Sequence, residues 1–219
     1  MFRVRRWDLL LALYIFCVVA SELMGGKTFL LFQYGSFALN ASVAIFLFPL
    51  IFTINDVIIE VYGKERARSV VRSGLVVVFF VFLFSLIAIA LPPSARFKGS
   101  EAAYDSVFGY SARIAAASLI AFAISEFTDL FVFLKLREKM QGKALWFRNN
   151  ISNFIAQFLD TAVFITLAFY AVNKGFGDNV AFLWSIILPY WFLKCVMSVI
   201  ETPFLYAGIR WLRGEKAET

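Results

Sequence analysis

Histidine is absent from this chain of 219 residues. That removes imidazole proton relays, histidine metal sites and Ser-His-Asp chemistry at once. Only two cysteines occur, Cys17 and Cys195. Both lie inside apolar stretches and read as small core residues rather than a disulfide. No glycine-rich loop ends in Lys-Ser or Lys-Thr, so ATP hydrolysis by that route is excluded. Charged residues make up only 16% of the chain. No cofactor and no resident metal are expected.

Hydrophobic residues make up 61% of the chain, and mean hydropathy is +0.78. Soluble domains sit nearer half apolar. Phenylalanine occurs 27 times, a load suited to lipid contact. Six stretches approach or exceed the roughly 20 residues that a helix needs to cross a bilayer. They run near 8–24, 38–61, 70–91, 112–135, 151–173 and 181–209. Gly25-Gly26, Gly63 to Arg66, Pro92-Pro93, Lys139 to Lys143 and Gly175 to Asp178 separate them. The expected fold is therefore all-α: one polytopic membrane domain over 1–219 with six transmembrane helices. Pro49 falls mid-span in the second helix and predicts a kink there. Lys27 to Gly35 is apolar but too short to cross, as an interfacial or re-entrant piece would be. No clean small-residue cleavage site follows the first stretch, so it reads as a retained span rather than a signal peptide. Internal three-plus-three symmetry stays open.

Basic residues set the orientation. Fifteen Lys and Arg fall on one side, at the N-terminus, the second and fourth loops and the C-terminus. Lys27, Arg96, Lys98, Arg113 and Lys174 fall on the other, and Lys194 lies inside a span. This asymmetry predicts both termini cytoplasmic. The net charge of +6 does not form one stripe, so nucleic acid is not an expected partner. The expected partners are a small molecule and the membrane lipids. A homo-oligomer is left open.

Eight ionisable side chains interrupt the apolar spans: Glu22, Asp56, Glu60, Glu126, Asp129, Asp160, Lys194 and Glu201. Each charge at the bilayer centre costs about 2.5–3.5 kcal/mol on insertion scales, so these groups face one another or a wet cavity. Phe52, Asp56 and Glu60 share a helix face, as do Phe122, Glu126 and Asp129. Asn150, Asn153, Gln157, Asp160 and Phe164 trace a stripe on the fifth span, and Ala117, Ala121 and Ser125 form a small-residue ridge on the fourth. Counting depth from the orientation puts Asp160 and Lys194 near the midplane and Glu22 near the outer end of its span. Asp160 with Lys194 reads equally as a structural ion pair or as part of a site. Glu60 reads as solvated or paired with an arginine such as Arg66. Asn150 reads as a cap, and Glu201 as a snorkelling side chain. Acids and amides in this arrangement suit a small, flat, donor-rich molecule. Phe52, Phe122, Phe164 and Tyr190 can stack its ring. No nucleophile sits beside a base, so an enzyme is not expected.

Phe48-Pro49-Leu50-Ile51-Phe52, Asp56 and Glu60-Val61-Tyr62-Gly63 with Ala67-Arg68 form a second-span block. Ala112 to Ala115, Asp129, Phe133 and Leu136-Arg137 form a fourth-span block, and Arg148 to Asn150, Ser152, Gln157 and Asp160-Thr161 a fifth. With Lys194, these blocks resemble the queuosine precursor transporter family, also called the vitamin uptake transporter family. The resemblance implies six helices in the cytoplasmic membrane. It also implies import of 7-deazaguanine precursors of queuosine, in the 7-cyano and 7-aminomethyl forms. The substrate-binding candidates are Asp56, Asp129, Asn153, Gln157 and Asp160, with Glu126 and Lys194 assigned to charge balance or coupling. The family carries glutamine where this chain has Glu126; an acid there suits a cationic aminomethyl ligand or a coupled proton. The alternative function is the substrate-binding subunit of a vitamin importer that depends on a separate ATPase.

Overall fold

The computed structural model describes residues 5–35, 37–139, 145–200 and 202–216. Helix α1, Arg6–Met24, opens with Asp8 in its first turn, where a carboxylate complements the helix dipole. It stops at Gly25-Gly26. The chain then turns back as an antiparallel hairpin of β1, Thr28–Tyr34, and β2, Phe37–Ser42. Gly35 stands at its tip with φ +58, a conformation that glycine adopts without steric cost. The apolar piece from Lys27 to Gly35 is thus mostly a strand rather than an interfacial or re-entrant helix. The protein is predominantly helical with one hairpin added.

The second apolar stretch also departs from a single helix over 38–61. Its first part is β2 and a short 3-10 helix, Val43–Phe46; α2 proper is Phe48–Tyr62. Ser42 causes the change. Its hydroxyl accepts the Ala44 N–H at 3.1 Å and donates to the Gly25 carbonyl at 2.6 Å, which starts the tight turn and fastens it to the end of α1. Pro49 therefore lies in the first turn of α2, where its missing N–H has no intrahelical partner to lose. It is not a mid-span kink.

Gly63, with φ +87, makes the corner into α3, Lys64–Ala90. Turns over 91–100 lead to α4, Glu101–Lys139. At 39 residues it is about 58 Å long, well beyond a hydrocarbon core of about 30 Å. Helix α5 is Leu145–Phe169 and α6 is Phe176–Ile200. The expected span 181–209 covers most of α6 and the start of α7, Thr202–Lys216; Glu201, between them, lies outside the described residues. Helix α7 lies on α2. A Cβ at Gly208 would come within 2.7 Å of Val57, so only glycine permits that approach. Arg213 reaches Glu60 at 3.6 Å, whereas Arg66, the expected partner, covers the Trp7 ring.

Among the described residues, five segments are long and apolar enough to cross a membrane: α1, 43–62, α3, 101–128 and 176–193. On α3 the aligned side chains Val76, Phe80, Phe84 and Ile87 are all exposed. An apolar stripe of this length belongs against lipid. The chain is a multi-pass membrane protein.

Two apolar clusters hold the bundle. One joins Ala41 and Ile45 to Ile114, Ile165, Ile186 and Tyr190; the other joins Leu10 and Tyr14 to Val57, Ile58, Val70 and Leu212. The α5–α6 connection is held by polar groups. Arg113 donates from Nε to the Leu167 carbonyl at 2.8 Å and from Nη2 to the Tyr170 carbonyl at 2.6 Å. Asn179, almost fully buried, binds the backbone of Ala171, Lys174 and Gly175.

Candidate functional site

Tyr14 belongs to one apolar cluster, and Ile114 and Tyr190 to the other. All three line a cavity of about 210 Å³. This is a small-molecule volume, below the roughly 300–1,000 Å³ of drug-sized pockets. Six helices contribute. Tyr14, Ser21 and Glu22 come from α1, Phe48 and Ile51 from α2, and Gly74 and Val78 from α3. Ser118 and Phe122 come from α4, Asp160, Thr161 and Phe164 from α5, and Tyr190 from α6. Ser42 and Ala44 add the end of the hairpin and the 3-10 helix.

The wall beside the hairpin is tied down from both sides. Tyr190 donates its hydroxyl to the Ser42 carbonyl at 3.2 Å, and Asn40 Nδ2 donates to Ser185 Oγ at 2.8 Å. Aromatic packing continues the wall: Phe48 meets Tyr190 edge-on at 5.5 Å and stacks on Phe52 at 6.0 Å. On the far side, the small residues of α4 let α5 come close. Ala117 and Ala121 are buried, and Ser125 Oγ donates to the Ala156 carbonyl at 3.2 Å.

A second chamber of about 260 Å³ adjoins the first, and Val71 and Phe122 line both. Its other walls are polar: Asn55, Lys64, Arg68, Arg72 and Glu126. Tyr14 of the first chamber is hydrogen-bonded to Asn55 of the second. The Asn55 Oδ1 is buried without a partner.

The structure thus brings Phe122, Asp160, Phe164 and Tyr190 together around the cavity. Glu126 lies in the second chamber. Phe52 stands behind Phe48. Half-buried Asp56 and Gln157 are not among the residues lining the cavity. Gln157 is one turn from Thr161, whose hydroxyl donates to its carbonyl at 2.9 Å. The side chains of Asp129, Asn150, Asn153 and Lys194, and all of Glu201, lie outside the described residues.

Sequence reasoning left Glu22 near the outer end of α1 and did not single out Tyr14, Ser21, Ser42 or Ser118. Two spacings carry Tyr14, Ser21 and Ser118, but not Ser42. Tyr14, Val18, Ser21 and Gly25 recur at i, i+4, i+7 and i+11 on one face of α1. Ser111, Ser118 and Ser125 recur every seven residues on α4. Ser111 binds the Leu23 carbonyl at 2.9 Å, and Ser118 binds Glu22.

The family described as "Putative vitamin uptake transporter" matches residues 42–208. The "Probable queuosine precursor transporter" of Bacillus subtilis (strain 168) is 29% identical over 196 residues, 88% of this chain and 80% of that protein. A protein of the same name from Haemophilus influenzae (strain ATCC 51907 / DSM 11121 / KW20 / Rd) is 30% identical over 61% of this chain and 54% of its own length. The "Queuosine precursor transporter" of Escherichia coli (strain K12) is 28% identical over 60% of this chain and 56% of its own length. The matches to these last two span little more than half of each. No solved structure is a significant match. The family match starts at Ser42 on the wall beside the hairpin and runs through α2, α3, α4, α5 and α6 into α7, and on that match the chain belongs to the vitamin uptake transporter family.

Proposed function

We propose that this protein imports a queuosine precursor, a 7-deazaguanine derivative, across the cytoplasmic membrane. The observation that carries the reading is the cavity itself. It joins ring faces from Phe48, Phe122, Phe164 and Tyr190 to the carboxyl groups of Glu22 and Asp160, and no lysine or arginine lines it among the described residues. Such a site rewards a flat ring with N–H donors. The names of the three relatives support the same class of solute.

In this reading α5, with 25 residues, joins the five candidate crossings to give six. Both termini are cytoplasmic. The chamber with Lys64, Arg68 and Arg72 then opens inward, and Phe122 with Val71 separates it from the binding cavity. A solute bound against Phe164 leaves past Phe122 toward Asn55 and Glu126. Asp56, Asp129, Asn153 and Gln157 stay candidates for the inward path, and Lys194 for charge balance, on sequence grounds. The protein moves its solute without chemistry on it.

Reconstituted protein in liposomes tests this directly. Labelled 7-deazaguanine precursor should accumulate without any ATPase, and unlabelled precursor should compete while vitamins do not. Failure to accumulate it, or strict dependence on an added ATPase, overturns the reading.

Orientation is checked separately. In a cysteine-free background, single cysteines at Ser100 and Glu65, both exposed, should react with an impermeant thiol reagent from opposite sides. Labelling of both from one side refutes the six-crossing arrangement.

A further inference from the structure

Among the described residues, Glu22 is the least comfortable acid. Its side chain is only 6% exposed, and it lines the cavity. Its carboxyl group accepts a hydrogen bond from Ser118, yet Oε2 is buried and has no hydrogen-bond partner. It also stands in the last turn of α1, which contains no basic residue. The carbonyl end of a helix carries partial negative charge, so a carboxylate there is disfavoured where a cation would be favoured. Asp160 lines the same cavity and adds a second acid. A buried carboxylate is tolerated when a cation or donor is supplied to it, and among the described residues lining this cavity none is cationic.

We propose that Glu22 is the specificity-determining residue of the cavity and that it selects solutes bearing a cationic amine. The ammonium group sits on Oε2 while the ring lies against the aromatic wall. A neutral solute of the same shape leaves the carboxylate and the negative helix end uncompensated, whereas an ammonium group offsets both. Ser118 acts as a positioning residue by fixing the carboxyl group. The inference rests on the transport reading above and narrows its substrate to the 7-aminomethyl form over the 7-cyano form.

The test measures liposome uptake of both labelled compounds by wild type, Glu22→Gln and Glu22→Asp. Glutamine keeps the shape and the Ser118 contact but removes the charge. Wild type should prefer the aminomethyl compound. Glu22→Gln should lose at least about tenfold in its uptake, the loss expected when one partner of a close charge pair is removed, and should lose several-fold less in cyano uptake. Glu22→Asp, which keeps the charge, should keep the preference. Equal loss of both compounds in Glu22→Gln means that Glu22 reads the shared ring or holds the fold, and overturns the proposal. So does an unchanged preference. If Glu22→Gln does not fold, Glu22→Asp decides: loss of the preference there overturns it. Wild-type uptake of neither compound overturns the transport reading together with this one, whereas uptake without the predicted shift overturns this one alone.

Discussion

Asp160→Asn should cut deazaguanine uptake roughly ten- to a hundredfold without unfolding the protein. Asp160 lines the cavity between Thr161, which is buried, and Phe164 one turn on. A hydrogen bond to a charged group contributes about 1.5–3 kcal/mol, and each 1.4 kcal/mol or so is tenfold in affinity. Asparagine keeps the volume and removes the charge, so the aromatic wall stays in place. The competing account makes Asp160 half of a midplane ion pair with Lys194. Breaking such a pair leaves one buried charge and costs about 3–5 kcal/mol. Asp160→Asn would then fail to accumulate as folded protein, and adding Lys194→Met would partly restore it. Thermal unfolding in detergent, run beside uptake, separates the two. A folded but transport-dead variant places Asp160 in the site; a rescued double variant makes it structural.

Asn179→Leu should lower the melting temperature by about 6–12 °C. Its Nδ2 group serves the carbonyls of Ala171, Lys174 and Gly175 at 2.9, 3.2 and 3.1 Å, while Oδ1 accepts the Ala171 N–H at 2.9 Å. Asn179 is 2% exposed, so water cannot replace it. Leucine keeps the bulk but orphans those backbone groups, at about 1–3 kcal/mol for each that stays unpaired. A net loss of about 3 kcal/mol converts at roughly 2–4 °C per kcal/mol for a chain of this size. Arg113 still caps the Leu167 and Tyr170 carbonyls, which keeps the end of α5 from fraying entirely. A shift under about 2 °C in detergent would show that the connection finds other partners.

The helices were legible where apolar runs ended at residues that cannot continue them. Gly25-Gly26, Gly63 and Pro92-Pro93 fall at the ends of α1, α2 and α3. The stretch 38–47 was not legible, because a short apolar run reads equally as helix or strand. What decided it is the pairing of β2 with β1 and the contact of Ser42 with Tyr190, 148 residues away. In the site, helical spacing alone grouped Phe122 on α4 and Asp160 with Phe164 on α5. Glu22 escaped because depth was counted along straight, full-length spans. The hairpin and 3-10 helix take up the first part of the expected second span, so the C-terminal end of α1 faces a cavity wall.

The polar stripe of α5 has a consequence for how the protein is made. Arg148, Asn149, Asn150, Asn153, Gln157 and Asp160 crowd its first sixteen residues. Presented alone to the insertion machinery, such a segment is a poor substrate, since a single charge near the centre already costs about 2.5–3.5 kcal/mol. Helix α4 precedes it in synthesis and offers the Ala117, Ala121 and Ser125 ridge against which α5 packs. In the six-crossing reading the two helices enter the bilayer as one hairpin, and substitutions that roughen the α4 ridge should surface as lost protein in the cell before they surface as lost transport.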